Sequence, residues 1–207
     1  MELTYKGGNC VVVNVKKELF VIDGKISPLG LNDIALTNAV YLSTQVDLTP
    51  EHKDGMVFDG PGDYEVRGVS VKGLAAPRMI DHDNSKQSTI YRIIADGISI
   101  VVIGHVRALL SEEELEAIGL TDIAIVPIGG NGYTLDAHQA SNVIGQLEPK
   151  VVIPTHYADD DVTYEVPQQG LEEFASELGA DREKMPAFKI KNASLPMKLT
   201  LVELTRS

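Results

Sequence analysis

Leu147-Glu148-Pro149-Lys150-Val151-Val152-Ile153-Pro154-Thr155-His156-Tyr157 is the stretch whose reading decides the fold. Val151 to Pro154 is a short apolar run of strand length, and it ends on a histidine. Upstream, Ala137, Ala140, Val143, Ile144 and Leu147 recur at three- and four-residue steps, which predicts a helix capped by Thr134. Ile123 to Pro127 precedes it as another buried strand. A strand–helix–strand unit of this kind predicts a parallel sheet covered by helices. Farther upstream, Ser111-Glu112-Glu113-Glu114 opens a helix that Gly119 ends. Ile90–Ala95 and Ile98–Ile103 are joined by Asp96-Gly97, a strong hairpin signal.

The first half reads as short strands. Val11–Val15 and Leu19–Ile22 flank a polar Lys16-Lys17-Glu18 connection, and Asp33–Thr37 predicts a further strand. The polar segment from Thr44 to Gly55 is expected as a loop or short helix. Tyr64–Val71, after the turn-rich Asp59-Gly60-Pro61-Gly62-Asp63, predicts one alternating strand. Leu171–Leu178 reads as a helix, and Phe188–Ile190 and Leu199–Leu204 as closing strands. The expectation is one domain over residues 1–207, an α/β sandwich of two mixed sheets with helices on the outer faces.

Eighteen Lys and Arg against 30 Asp and Glu give a net charge of −12 over 207 residues. That balance argues against nucleic acid and anionic membranes as partners. The partners left open are a small molecule in a cleft, another protein, or a second copy of the chain. One Cys builds neither an internal disulfide nor a multi-thiolate zinc site. No apolar run reaches membrane-spanning length and the start lacks a signal core, so a cytoplasmic protein is expected.

Metal chemistry would therefore draw on His, Asp and Glu. His105 follows the strand Val101-Val102-Ile103-Gly104, and His156 ends Val151-Val152-Ile153-Pro154-Thr155. Asp81-His82-Asp83 lies in a polar loop, and Asp136 falls near a helix start after the Gly129-Gly130-Asn131-Gly132 loop. Ligands collect where strands end in loops, and His with carboxylate can hold zinc, manganese or iron. Each residue also has a plainer role. His105 and His156 can bond loop carbonyls, and Asp136 can cap a helix. His52 and His138 suit the surface, and Cys10 suits the interior as an inert thiol.

Val57-Phe58-Asp59-Gly60-Pro61-Gly62-Asp63-Tyr64-Glu65-Val66, Asp122 to Gly130 and Leu147 to Tyr157 together resemble zinc-dependent hydrolases of the metallo-β-lactamase fold. The similar branch is bacterial and lies near the ascorbate-lactonase-like proteins. The resemblance implies an αββα sandwich with a metal site at one edge between the sheets. It also implies a His-x-His-x-Asp-His signature directly after an early strand. With Ile34–Thr37 taken as that strand, Asn38, Val40, Leu42 and Ser43 fall on the ligand positions. The family's early Gly-His-Ser-Cys segment corresponds to Gly7-Gly8-Asn9-Cys10, which lacks the histidine, and its usual Asp after the central strand is replaced by His105. His82 with Asp83, Asp136 and His156 are the polar positions that match.

Two functions follow, of different classes. One is a non-catalytic binding or assembly protein that has lost the principal zinc motif. The other is a mononuclear or rearranged hydrolase of an ester, lactone or phosphodiester. It would hold one zinc on His82, His105 and His156, with Asp136 or Asp83 assisting the chemistry.

Overall fold

The computed structural model describes residues 1–79, 87–191 and 195–207. Two β-sheets pack face to face. The first runs through β1 (Glu2–Gly7), β2 (Cys10–Val15), β3 (Glu18–Ile22), β4 (Ala39–Leu42) and β5 (Gly55–Phe58). The second takes β6 (Gly62–Val66), β7 (Val69–Pro77), β8 (Gln87–Ala95), β9 (Ile98–Val102), β10 (Ile123–Pro127) and β11 (Val151–Thr155). Near the C-terminus, β12 (Asp181–Met185) and β14 (Thr200–Leu204) join the second sheet and β13 (Phe188–Lys189) joins the first. The orders are β13-β1-β2-β3-β4-β5 and β12-β14-β11-β10-β9-β8-β7-β6. Both sheets are mixed: hairpins give the antiparallel pairs, while β3-β4-β5 and β9-β10-β11-β14 are parallel.

Alternation places the core. Val11, Val13 and Val15 of β2 point at Ile93, Ile100 and Ile125 from the opposite sheet, within one cluster of buried side chains. The other residues of β9–β11, such as Val101, Ala124 and Val152, face outward onto helices. These strands are buried on both faces, which explains why they read as continuous apolar runs. The covering helices are α1 (Glu112–Ile118), α2 (Ala137–Leu147) and α3 (Leu171–Leu178). Ile118, Val143, Ile144 and Phe174 supply the helical side of that interface.

The expected sandwich of two mixed sheets is present, but helices share its outer faces unevenly. The three α-helices just named all cover the second sheet. The outer face of the first sheet (Val12, Val21, Tyr41) lies under the loop 23–38, through Leu29, Leu31, Ile34 and Leu36. This corrects the strand expected at Asp33–Thr37. Ile34 and Leu36 alternate because they cap that sheet from outside, and Asp33 is spent on the backbone N–H groups of Ile26 and Ser27.

Three smaller expectations also change. Tyr64–Val71 is two strands, because Arg67 and Gly68 take φ of 49° and 79° and turn the chain back on itself. The cap of α2 is Asp136, not Thr134, whose hydroxyl instead accepts from Gly130 N–H at 3.0 Å. Gly55, expected to end the loop or short helix from Thr44, instead opens β5, which pairs with β4 as an edge strand. Ser111 and Glu114 form the expected capping box at α1, and Asp96-Gly97 (φ 53° and 75°) turns the β8–β9 hairpin.

Candidate metal and ligand site

Strand ends of both sheets meet at one edge. From the first sheet come Asp23 after β3 and Ser43-Thr44 after β4. From the second come Gly104-His105 after β9 and Thr155-His156 at the end of β11. Close approach of the two sides depends on a glycine. A Cβ on Gly104, where φ is 63°, would sit 2.7 Å from Thr44 Cβ. Asn9 bridges the sides, since Thr155 Oγ1 donates to its Oδ1 at 2.6 Å and its amide donates to Asp23.

The first-sheet half is a closed polar network. Asp23, 1% exposed, accepts from Thr44 N–H and Thr44 Oγ1, both at 2.7 Å, and from Asn9 Nδ2 at 2.5 Å. Burial outweighs these three bonds and pushes its carboxyl up to about 7. Asp23 and Thr44 were not singled out from the sequence. The available signal was a carboxylate directly after the apolar run Leu19–Ile22, the same pattern that pointed to His105.

The second-sheet half is open. His105 and His156 are 6% and 4% exposed, and their rings meet edge to face with centroids 5.1 Å apart. His156 takes the left-handed φ of 53°, uncommon for a residue with a Cβ, and its N–H donates to Gly8 O at 2.7 Å. Gln168 donates through Nε2 to Val166 O, so its Oε1 faces His156 and accepts from Nδ1 at 3.0 Å. That bond places the proton on Nδ1 and leaves a lone pair on Nε2. Among the described residues, His105 Nδ1 is buried with no hydrogen-bond partner. Burial lowers both imidazoles, His156 to about 4 and His105 well below its ordinary value, with His156 and Arg78 adding to the latter. Both are neutral at pH 7, the form that ligates a metal.

Tyr133 and Tyr164 flank the His156 ring, with centroids at 5.6 and 4.8 Å. They wall a cleft of about 340 Å³ with Pro28, Leu29 and Glu165.

The expected site residues separate as follows. His105 and His156 come together. Asp136 accepts from Gln139 N–H at 2.8 Å in a capping box, the plainer role expected for it. His82 and Asp83 lie outside the described residues. Among the described residues, no group of three His, Cys, Asp or Glu could hold a metal ion. His138 is exposed and pairs with Glu177 at 2.9 Å. Cys10 is fully buried, and burial raises its thiol far above the ordinary range.

The ligand register is corrected. Val40 and Leu42, first aligned with ligand positions, are fully buried core residues of β4, and Asn38 precedes that strand. β4 is the strand found there, and the resemblance then implies Ser43-Thr44-Gln45-Val46-Asp47-Leu48-Thr49 as the segment in the signature's place. It holds no histidine. Val46 there is 68% exposed, Thr44 is committed to Asp23, and Gln45 Nε2 is buried without a partner.

A family model described as the beta-lactamase superfamily domain matches residues 2–156. The chain belongs to this superfamily. A metal-dependent hydrolase of Hyperthermus butylicus is 44% identical over 144 residues, covering 69% of this chain and 60% of that protein. One from Thermoplasma acidophilum is 28% identical over 144 residues, covering 69% and 63%. The matched part of this superfamily member thus spans about three fifths of these curated relatives. Both are archaeal, so the resemblance is wider than the bacterial branch read from the sequence. Among solved structures, a candidate Zn-dependent hydrolase of the metallo-beta-lactamase superfamily from Thermotoga maritima superposes with a TM-score of 0.75 at 23% identity. That match covers 99% of this chain and 100% of the other. A metallo hydrolase from Ignicoccus hospitalis gives 0.60 at 21% identity, covering 98% and 94%. The shared fold therefore extends past residue 156 into β12–β14. Among the described residues no helix is long and apolar enough to cross a membrane.

Proposed function

We propose that the chain is a metal-dependent hydrolase with a rearranged, mononuclear site that cleaves an ester or related bond. His105 and His156 supply two of its ligands and His82 the third. The observation that carries this reading is the histidine pair: two buried neutral imidazoles 5.1 Å apart. On His156 the Gln168 bond to Nδ1 leaves the lone pair on Nε2, and on His105 the buried Nδ1 has no hydrogen-bond partner among the described residues. An unpartnered buried nitrogen costs stability unless something ligates it. The relatives named metal-dependent hydrolases support the same reading.

When bound, a divalent cation would supply a water of lowered pKa and polarise the scissile carbonyl. The protein's own groups do the rest. Gln168 fixes the tautomer and direction of His156, as outer partners do in metal sites. Tyr133 is kept protonated by burial and by Glu165, so its hydroxyl stays a donor beside the cleft. Asp136 is given no part as a base, because its carboxylate is engaged at the α2 cap.

A second reading, a non-catalytic protein that binds a small molecule or another subunit, is favoured by one observation. Residues 43–49 offer no histidine where the family places its main ligands. Cobalt titration followed by d–d absorption separates the two. Stoichiometric binding that is lost in His105→Ala, His156→Ala and His82→Ala, with ester hydrolysis lost alongside, supports the hydrolase. No cobalt uptake by the wild-type protein would leave the non-catalytic reading.

A further inference from the structure

We propose that the cleft beside His156 takes uncharged esters or lactones with a small apolar or aromatic body, and that Glu165 turns phosphodiesters and other anions away. The catalytic meaning of this inference rests on the hydrolase reading above; the selectivity of the cleft does not.

The argument starts from the walls. At about 340 Å³ the cleft lies at the small end of ligand pockets, which run from roughly 300 to 1,000 Å³. Pro28 and Leu29 enter it from the loop that covers the first sheet. Tyr133 and Tyr164 enter from the second-sheet side around His156. These side chains present apolar surface to a ligand body. Glu165 is the one carboxylate among the described residues of the lining. Two further charges act on Tyr133 from nearby, the carboxylate of Asp47 and the guanidinium of Arg78, and they oppose one another. The chain as a whole carries −12.

A phosphodiester is a full anion at neutral pH, and its recognition relies on Arg or Lys forks or a helix N-terminus. Among its described residues the lining holds no Arg or Lys, and the charge of Glu165 repels. An ester or lactone carbonyl asks only for a neutral donor, which the Tyr133 hydroxyl, Thr163 and Gln168 can each offer.

The test measures binding directly, without metal. Saturation-transfer NMR is run on the chelator-treated protein with two probes of similar size and a shared ring, neutral phenyl acetate and anionic methyl phenyl phosphate. The acetate is expected to bind at least about tenfold more tightly, a gap of about 1.4 kcal/mol. Glu165→Lys should erase or reverse that preference. Glu116→Lys, which makes the same change of net charge on the exposed face of α1, should leave it in place. Equal or tighter binding of the phosphate by wild type would overturn the proposal. So would absence of binding by both probes, or an equal shift from the two Lys variants. If the preference holds but cobalt does not bind, the hydrolase reading fails and the ligand class stands.

Discussion

The two halves of the strand-end site differ in how their polar groups are satisfied. On the first-sheet side, Asp23, Thr44 and Asn9 bond to each other at 2.5–2.7 Å and need nothing from outside. On the second-sheet side, His105 and His156 are as deeply buried, yet among the described residues His105 Nδ1 has no hydrogen-bond partner, while His156 bonds Gln168 through Nδ1 and keeps its lone pair on Nε2. Burial alone therefore does not mark a functional group. A buried polar group whose bonds close internally holds structure together, and one left open points to a ligand. Thr44, in the segment after β4, ties the chain to Asp23.

The largest expected effect is in pH dependence, where the halves pull in opposite directions. Asp23 has a folded pKa near 7 against about 3.9 unfolded, so the native state holds the extra proton between those values. Stability should fall as pH rises from about 4 to 7, by up to about 4 kcal/mol, and level off above 7. Urea unfolding of wild type and Asp23→Asn in chelator tests this. The difference between the two proteins should slope across that window, and a flat difference would break the comparison.

His156 supplies the opposite slope. Its folded pKa is about 4 against about 6.5 unfolded, so the unfolded chain takes up the proton first. Its contribution is complete above about 6.5 and is lost as pH falls toward 4, by about 3 kcal/mol. The metal-free His156→Gln variant should lose less stability than wild type on acidification. If both proteins fall equally, the imidazole is not held neutral.

The contrast also explains what was legible in the sequence. β2, β3 and β8–β11 could be read because burial on one or both faces imposes apolar runs or alternation. His105 and His156 could be read because a polar residue directly after such a run stands at a strand end. Ile34 and Leu36 misled because an apolar alternation cannot tell a strand from a loop lying over a sheet. That error then shifted the expected ligand register onto Val40 and Leu42, which belong to the core. Asp23 was missed for a different reason. Its place after the run Leu19–Ile22 was legible, but its pairing with Thr44 and Asn9, 21 and 14 residues away in sequence, leaves no local pattern.

Opening the closed side should cost more than filling the open one. Thr44→Val keeps the shape but removes the hydroxyl that donates to Asp23, leaving one buried carboxylate oxygen with a single remaining donor. A loss of about 1–2 kcal/mol is expected, read as a lower urea midpoint at unchanged slope.

The smallest effect is expected at His105. His105→Leu deletes a buried nitrogen that has no partner, so no hydrogen bond is lost and one desolvation cost disappears. Against this stand the altered ring contacts with Tyr133 and His156, at centroid distances of 5.5 and 5.1 Å. The two effects oppose one another, so the metal-free variant should lie within about 1 kcal/mol of wild type. Under the proposed hydrolase reading, the same substitution should abolish cobalt binding. A large loss of stability without metal would mean that His105 is satisfied within the fold after all, and the difference between the two halves would disappear.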